Sequence, residues 1–297
     1  MATVAVIAHD AGGAEILSSW ARRSGNACLL VAEGPAVAIF KRKCPELTPM
    51  ALLEAVASSD WLLCGSGWQS ALEREAIRVG RAAGKKTVTF LDHWVNYRER
   101  FKDGPRLLLP DEIRVGDVDA LRIAQAAFPM HPIVLEENPY VLDLLDQIDA
   151  IPQRTNKVGN VLYVCEPVAE HAKLAYGDAR HFGYTEHDAL QFFLDKIHLL
   201  NDAVRPIVIR PHPSETAEKY AWALNATEQE ISFGGQNTLL QETLAADIVV
   251  GCESMAMIVG LLARKRVISS IPPGGRRCRL PHAEIEHLAT MGGGRDG

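Results

Sequence analysis

The chain has 297 residues, 47% of them hydrophobic and 23% charged, and carries a net charge of −6. That length suits two domains of about 150 residues each, and the composition is that of an ordinary soluble globular protein. It excludes a duplex-wide phosphate-binding face, and no apolar run approaches the roughly 20 residues of a membrane span.

Met1 leads straight into the strand-like VAVIA, with no basic stretch or small-residue cleavage site, which predicts a cytoplasmic protein. The first half then alternates short apolar runs with helix-period segments: VAVIA (4–8), ACLLVA (27–32), DWLLCG (60–65), KTVTFLD (86–92), EIRVG (112–116) and IVLEE (133–137). Continuous apolar strands separated by helices predict a parallel sheet covered on both faces. "NPY" at Asn138–Tyr140 reads as a turn and helix start. The polar stretch from Asp146 to Asn160, with Pro152 and Gly159, predicts a linker.

The second half restarts with NVLYVCE (160–166). A helix is predicted at about 185–201, where Thr185 and Asp188 form an acidic variant of the capping box. PIVIR (206–210), a helix near 215–225, EISFG (230–234), a helix near 237–245, DIVVG (247–251), a helix near 255–264 and RVISSI (266–271) follow. The fold class expected is α/β, with two doubly wound parallel-sheet, Rossmann-like domains facing a cleft. They span 1–150 and 158–291, and 292–297 form a flexible glycine-rich tail. Cys28, Cys44, Cys64, Cys165, Cys252 and Cys278 form no CxxC pair, which argues against a zinc knuckle or a disulfide framework and predicts buried thiols. The histidines His171, His181, His187 and His198 lack metal-type i, i+4 partners, so no metal site and no cofactor is expected.

Ligands of open parallel sheets bind where strands end and helices begin, so the strand-to-helix loops carry the functional candidates. After the first strand, Asp10, Gly12 and Gly13 let the backbone approach a ligand closely at a helix start, without a dinucleotide signature. After the third, Ser66 lies between Gly65 and Gly67, short of a full nucleophile-elbow spacing. "FLDHWVNYRERF" (90–101) supplies Asp92 as a general base with His93 as its rival, Trp94 and Tyr97 as ring faces for a sugar, and Arg98 or Arg100 as a forked partner for a carboxylate. A solvated Arg98-Glu99-Arg100 surface, anchored by Trp94 and Phe101, is the plainer alternative.

In "VIRPHPSETAEKY" (208–220), Pro211 and Pro213 restrict the backbone around His212, flanked by Arg210 and Ser214. The ring is thereby held ready to donate to a phosphate oxygen. One strand–helix unit later, Gly251-Cys252-Glu253-Ser254 places Ser254 at a helix N-cap and Glu253 where it can accept ribose hydroxyls. Glu166 ends the first strand of the second half, facing the same cleft. The bland readings are a plain turn at His212 and a plain cap at Ser254.

The RPHP loop, followed by the strand–Gly251-Cys252-Glu253-Ser254–helix unit, resembles the HP and Ser/Thr motifs of bacterial GT-B glycosyltransferases that use CMP-activated acidic sugars, the sialyltransferases and Kdo transferases. It covers roughly Pro206–Pro273. Similar C-terminal halves occur in CDP-glycerol transferases and UDP-GlcNAc 2-epimerases. The resemblance implies a GT-B architecture and nucleotide-phosphate contacts for His212 and Ser254; the acidic D/E-D/E-G motif of those families is not evident. The expected function is transfer of a nonulosonic or Kdo-like acid from a CMP-sugar to a glycan or lipid-linked acceptor, without metal. In that reading 1–150 is the acceptor side and 158–291 the donor side. Arg210, His212, Pro213, Ser214, Glu253, Ser254 and Glu166 hold the nucleotide. Peripheral membrane association and oligomeric state stay open. The alternatives are a UDP-sugar-using transferase, an enzyme like UDP-GlcNAc 2-epimerase or hydrolase, and a non-catalytic nucleotide-sugar-binding protein. A Ser66–His93 hydrolase is more distant.

Overall fold

A computed structural model describes residues 1–67, 70–151, 159–200 and 206–291 of the chain. Most of the expected linker, residue 158 and the tail at 292–297 lie outside the described residues. The chain divides into two compact units, Met1–Asp143 and Leu144–Gly297.

Unit 1 runs β1 (Thr3–Ala8), α1 (Ala11–Arg23), β2 (Ala27–Ala32), α2 (Pro35–Lys43), α3 (Leu52–Ser58), β3 (Trp61–Cys64), α4 (Leu72–Ala82) and β4 (Lys86–Phe90). The one-turn helix α5 (Tyr97–Arg100) and the small hairpin β5 (Lys102–Asp103) and β6 (Arg106–Leu107) come next. β7 (Glu112–Val115), α6 (Val118–Ala127), β8 (Ile133–Leu135) and α7 (Pro139–Ala150) complete the series, and the division between units falls inside α7. The sheet order is β2-β1-β3-β4-β7-β8, with every pairing parallel. Val4 to Ala8 have no exposed surface because both faces of β1 are covered, which is why the strand reads as an unbroken apolar run. Asn138 opens α7 by accepting the amides of Tyr140 and Val141.

Unit 2 runs β9 (Val161–Val164), α8 (Val168–Tyr176), α9 (Glu186–Lys196), β10 (Ile207–Arg210), β11 (Ile231–Phe233), α10 (Leu239–Ala245), β12 (Ile248–Gly251), α11 (Met255–Leu262), β13 (Arg266–Ser269) and β14 (Glu286–His287). Its order, β11-β10-β9-β12-β13-β14, is again all parallel. The capping box at Thr185 and Asp188 is formed, and a second one, Thr238 with Gln241, starts α10. The helix expected near 215–225 is instead a 3-10 helix, Ala217–Asn225. Its fully buried residues, Tyr220 and Ala223, are three apart, and that spacing falls on one face of a three-residue turn.

The sheets differ in how they reverse. In unit 1 the second strand lies on one side of β1 and the third on the other; in unit 2 the second and third strands lie together on one side of β9. Both orders have a switch point, beside β1 and β3 in one and beside β9 and β12 in the other, where successive crossovers leave in opposite directions and open a crevice at the carboxyl ends.

Candidate functional site

At the unit 1 switch point three of the expected loops meet. Gly13 approaches Gly65 so closely that a Cβ on Gly13 would lie 3.3 Å from the Gly65 Cα. Asp92, just past β4, rests against the first turn of α1: a Cβ on Gly12 would fall 2.1 Å from its Oδ2. The glycine here makes room for a carboxylate of the protein itself. The other oxygen, Oδ1, accepts from the Ser66 hydroxyl at 2.7 Å and from Arg100 at 2.5 Å, and Arg100 also donates to the Ser66 carbonyl at 2.8 Å.

That network changes several expectations. Desolvation alone would raise the Asp92 pKa, but the Arg100 charge and the Ser66 bond hold it below the usual aspartate value, so Asp92 is a fixed anion and a weak base. Arg100 is 7% exposed and committed to this pair, so it does not present a fork to a ligand carboxylate. Ser66 is 3% exposed and bonded on Asp92, which leaves no nucleophile elbow. Tyr97 is buried in the core, so neither face of its ring is open to a sugar. Trp94 packs against the same core, with its indole N–H on Asp117 at 2.8 Å. Arg98 is exposed and donates to the Ala127 carbonyl. His93 accepts the Trp94 amide at Nδ1 over 3.0 Å. A backbone N–H only donates, so a neutral His93 carries its proton on Nε2 and is a donor there rather than a base.

Two acidic groups complete the unit 1 crevice. His9 Nδ1 lies 2.9 Å from Asp10 Oδ1, and the His9 amide donates to Glu73 Oε1 at 2.9 Å. Glu73 is buried, its Oε2 has no partner among the described residues, and desolvation pushes its pKa up to about 7. Gly67 sits where a Cβ would meet both Glu73 and Asp10 within 2.9 Å. Sequence reading did not single out Glu73, because an acidic residue in the first turn of a helix is ordinary; what distinguishes it is burial.

In unit 2 the RPHP turn is held from several directions. The Ser214 amide donates to His212 Nδ1 at 3.2 Å, and the Ser214 hydroxyl lies 2.8 Å from the same nitrogen. The amide makes Nδ1 an acceptor, so the neutral ring keeps its proton on Nε2. Burial, with the neighbouring His171 ring, lowers the His212 pKa and favours that neutral form despite the opposing pull of Glu215. Glu215 caps the turn by bonding back to His212 through its amide at 2.8 Å, and its carboxylate is held by Lys219 and by Tyr220 at 2.8 Å. Pro213 and Ser214 are exposed. Arg210 instead turns to the Glu242 carboxylate of α10 at 2.6 Å and the Asn237 carbonyl just before that helix at 3.0 Å, a structural pairing within unit 2.

The loop before α11 departs further from expectation. Ser254 occupies the N-cap but makes no capping bond, and its hydroxyl is buried without a partner among the described residues. Glu166, just past β9, instead holds the loop that precedes this N-cap, accepting the Cys252 amide at 3.0 Å and the Glu253 amide at 2.8 Å. Desolvation raises Glu166 to about 7, the two amides and that of Ser254 opposing the rise and the Glu253 charge adding to it. Glu253 itself is engaged by Arg276 and Arg279, each at 2.7 Å, so its carboxylate is not open to ribose hydroxyls in this conformation. These arginines hold Glu253 below its usual value against desolvation. Neither arginine was singled out from sequence.

All six cysteines are free; Cys28 and Cys278 are only partly buried. Among the described residues, no group of three or more His, Cys, Asp or Glu could hold a metal ion, and no helix is long and apolar enough to cross a membrane.

No family model and no curated protein matches the sequence. Solved structures do match in fold. UDP-GlcNAc 2-epimerase from Methanocaldococcus jannaschii, in complex with UDP-GlcNAc and UDP, aligns with a TM-score of 0.59 at 9% identity over 96% of this chain and 88% of its own. The Neisseria meningitidis UDP-GlcNAc 2-epimerase bound to UDP-GlcNAc aligns at 0.58 and 10% identity, over 92% and 83%. Acinetobacter baumannii MurG aligns at 0.51 and 11% identity, over 98% and 87%. The two all-parallel α/β units therefore constitute a GT-B fold.

Proposed function

We propose that the chain is a glycosyltransferase that draws its sugar from a nucleotide-linked donor, with the nucleotide held by unit 2. The observation that carries this reading is the His212 turn. At the carboxyl end of β10, beside the central strand of a doubly wound sheet, a neutral imidazole is fixed with Nδ1 satisfied and Nε2–H as its remaining donor. Such a donor suits a phosphate oxygen that gains charge as the nucleotide departs. In this reading no metal is needed at the phosphate. Acceptor activation belongs to unit 1, where Asp10 is a carboxylate with no lysine or arginine ion pair among the described residues, whereas Asp92 shapes the loop.

The motif resemblance favours a CMP-linked nonulosonic or Kdo-like acid. The fold likeness to two proteins bound to UDP-GlcNAc favours a second reading, a UDP-sugar transferase or a 2-epimerase-like enzyme. Incubation with CMP-sialic acid, CMP-Kdo and UDP-GlcNAc without acceptor, following nucleotide release, separates them. Release of CMP supports the first; release of UDP with a changed sugar supports the second. Binding without turnover would mark a nucleotide-sugar-binding protein, and no binding would overturn the reading. His212→Ala is expected to weaken nucleotide binding or product formation about tenfold or more.

A further inference from the structure

The loop before α11 contains an acidic side chain in an unusual position. Glu253 is placed among hydrogen-bond donors at the carboxyl end of β12. Arg276 Nη2 and Arg279 Nη2 each lie 2.7 Å from its Oε1, and the Arg279 amide reaches Oε2 at 3.1 Å. Two further donors, the hydroxyl of Ser254, next in the chain, and Nε of Arg276, have no acceptor among the described residues. Arg276 is also held flat, its guanidinium 3.7 Å from the centre of the Phe182 ring and its amide on the Phe182 carbonyl at 2.8 Å. An exposed arginine would lose entropy in that pose for little return. The cluster therefore has more donors than a single carboxylate satisfies, and it sits at the switch point of the sheet.

We infer that Arg276, Arg279 and the Ser254 hydroxyl form the anion-binding site for the phosphate of the donor, and that Glu253 is a displaceable anion occupying it in the unliganded protein. This deepens the nucleotide-sugar reading and rests on it for the identity of the ligand. A phosphate offers more acceptor oxygens than a carboxylate and pairs with both guanidinium forks, so it satisfies the two orphan donors that Glu253 leaves unmet. On binding, Glu253 leaves the arginines and turns toward solvent. A sugar carboxylate has the same charge chemistry, so the test includes it as a separate arm.

The experiment is titration of the full chain, by calorimetry, with inorganic pyrophosphate, CMP, UDP and free N-acetylneuraminate. Glu253→Gln removes the competing charge and is expected to tighten the phosphate ligands severalfold, whereas a direct ligand role for Glu253 would weaken them. Arg276→Lys and Arg279→Lys keep the charge and lose the fork; each is expected to weaken the phosphate ligands about tenfold. Thermal melting of each variant verifies folding, and Glu253→Gln, the mildest change, decides the matter if a lysine variant is unstable. Phosphate ligands that bind with unchanged affinity in all three variants overturn the inference while leaving the nucleotide reading intact. Tightening by Glu253→Gln for pyrophosphate alone, with no nucleotide bound, supports the anion site and overturns the nucleotide reading. N-acetylneuraminate responding in place of the phosphates overturns the assignment to phosphate, and no binding of any probe overturns the site.

Discussion

Each unit sets one of its own carboxylates at a helix start beside its switch point, and the two are charged on different terms. In unit 1, Asp92 lies on the first turn of α1 and is locked ionised by Arg100 and Ser66. In unit 2, Glu166 takes the amides before α11 with no lysine or arginine ion pair among the described residues, because the nearby arginines are engaged by Glu253. Its pKa rises to about 7. Similar geometry thus yields a permanent anion where a cation folds back onto it, and an adjustable one where the cation is taken. The folding back in unit 1 depends on Asn96, whose φ of 58° turns the chain into α5 so that Arg100 reaches Asp92; asparagine is among the few residues that enter that region readily.

The largest expected effect comes from removing the cation of the locked pair. Arg100→Leu leaves the Asp92 charge enclosed and uncompensated and should cost about 3–5 kcal/mol in a denaturant melt. A loss under about 1 kcal/mol would show that the carboxylate is hydrated rather than locked. Next, Gly12→Ala drives a methyl into Asp92 and should cost about 1–3 kcal/mol, and the cost should shrink when Asp92→Ala is also present. Equal cost in both backgrounds would mean that Asp92 is not what the glycine accommodates.

A pair of caps sharpens the unit 2 side. Thr185→Ala removes a formed capping box and should cost about 1 kcal/mol, whereas Ser254→Ala should change stability by less than about 0.5 kcal/mol because the Ser254 hydroxyl makes no capping bond. Equal costs would return Ser254 to an ordinary cap. The last effect is a slope with pH, not a single loss. A carboxyl raised from about 4.5 to about 7 binds more protons folded than unfolded across that range, so its contribution to stability is full below about 4.5 and is lost as pH rises to about 7. Glu166→Gln should remove that loss, so the melting temperature of the variant relative to the parent should climb between pH 5 and 8. A pH-independent difference would place the Glu166 pKa near its ordinary value.

Much of this architecture was legible in the sequence. Unbroken apolar runs such as Val4–Ala8 and Ile248–Val250 gave away buried parallel strands. The Thr185–Asp188 cap was legible because both partners are local. What was not legible is pairing at a distance. Arg100 and Ser66 are 34 residues apart, Glu166 and Glu253 are 87, and nothing in a linear pattern says which cation reaches which carboxylate. That is why Arg100 and Glu253 read as open to ligands and prove committed to partners, and why Arg276, Arg279 and Glu73 passed unnoticed.

The thiols have a practical consequence. Desolvation raises the pKa of all six cysteines, Cys44 and Cys278 to about 11, so little thiolate exists at neutral pH anywhere in the chain. A cysteine introduced at an open position such as Leu174, 76% exposed on α8, would then react with a maleimide dye almost alone. Fluorescence labelling could therefore follow ligand addition without first stripping the native sulfurs.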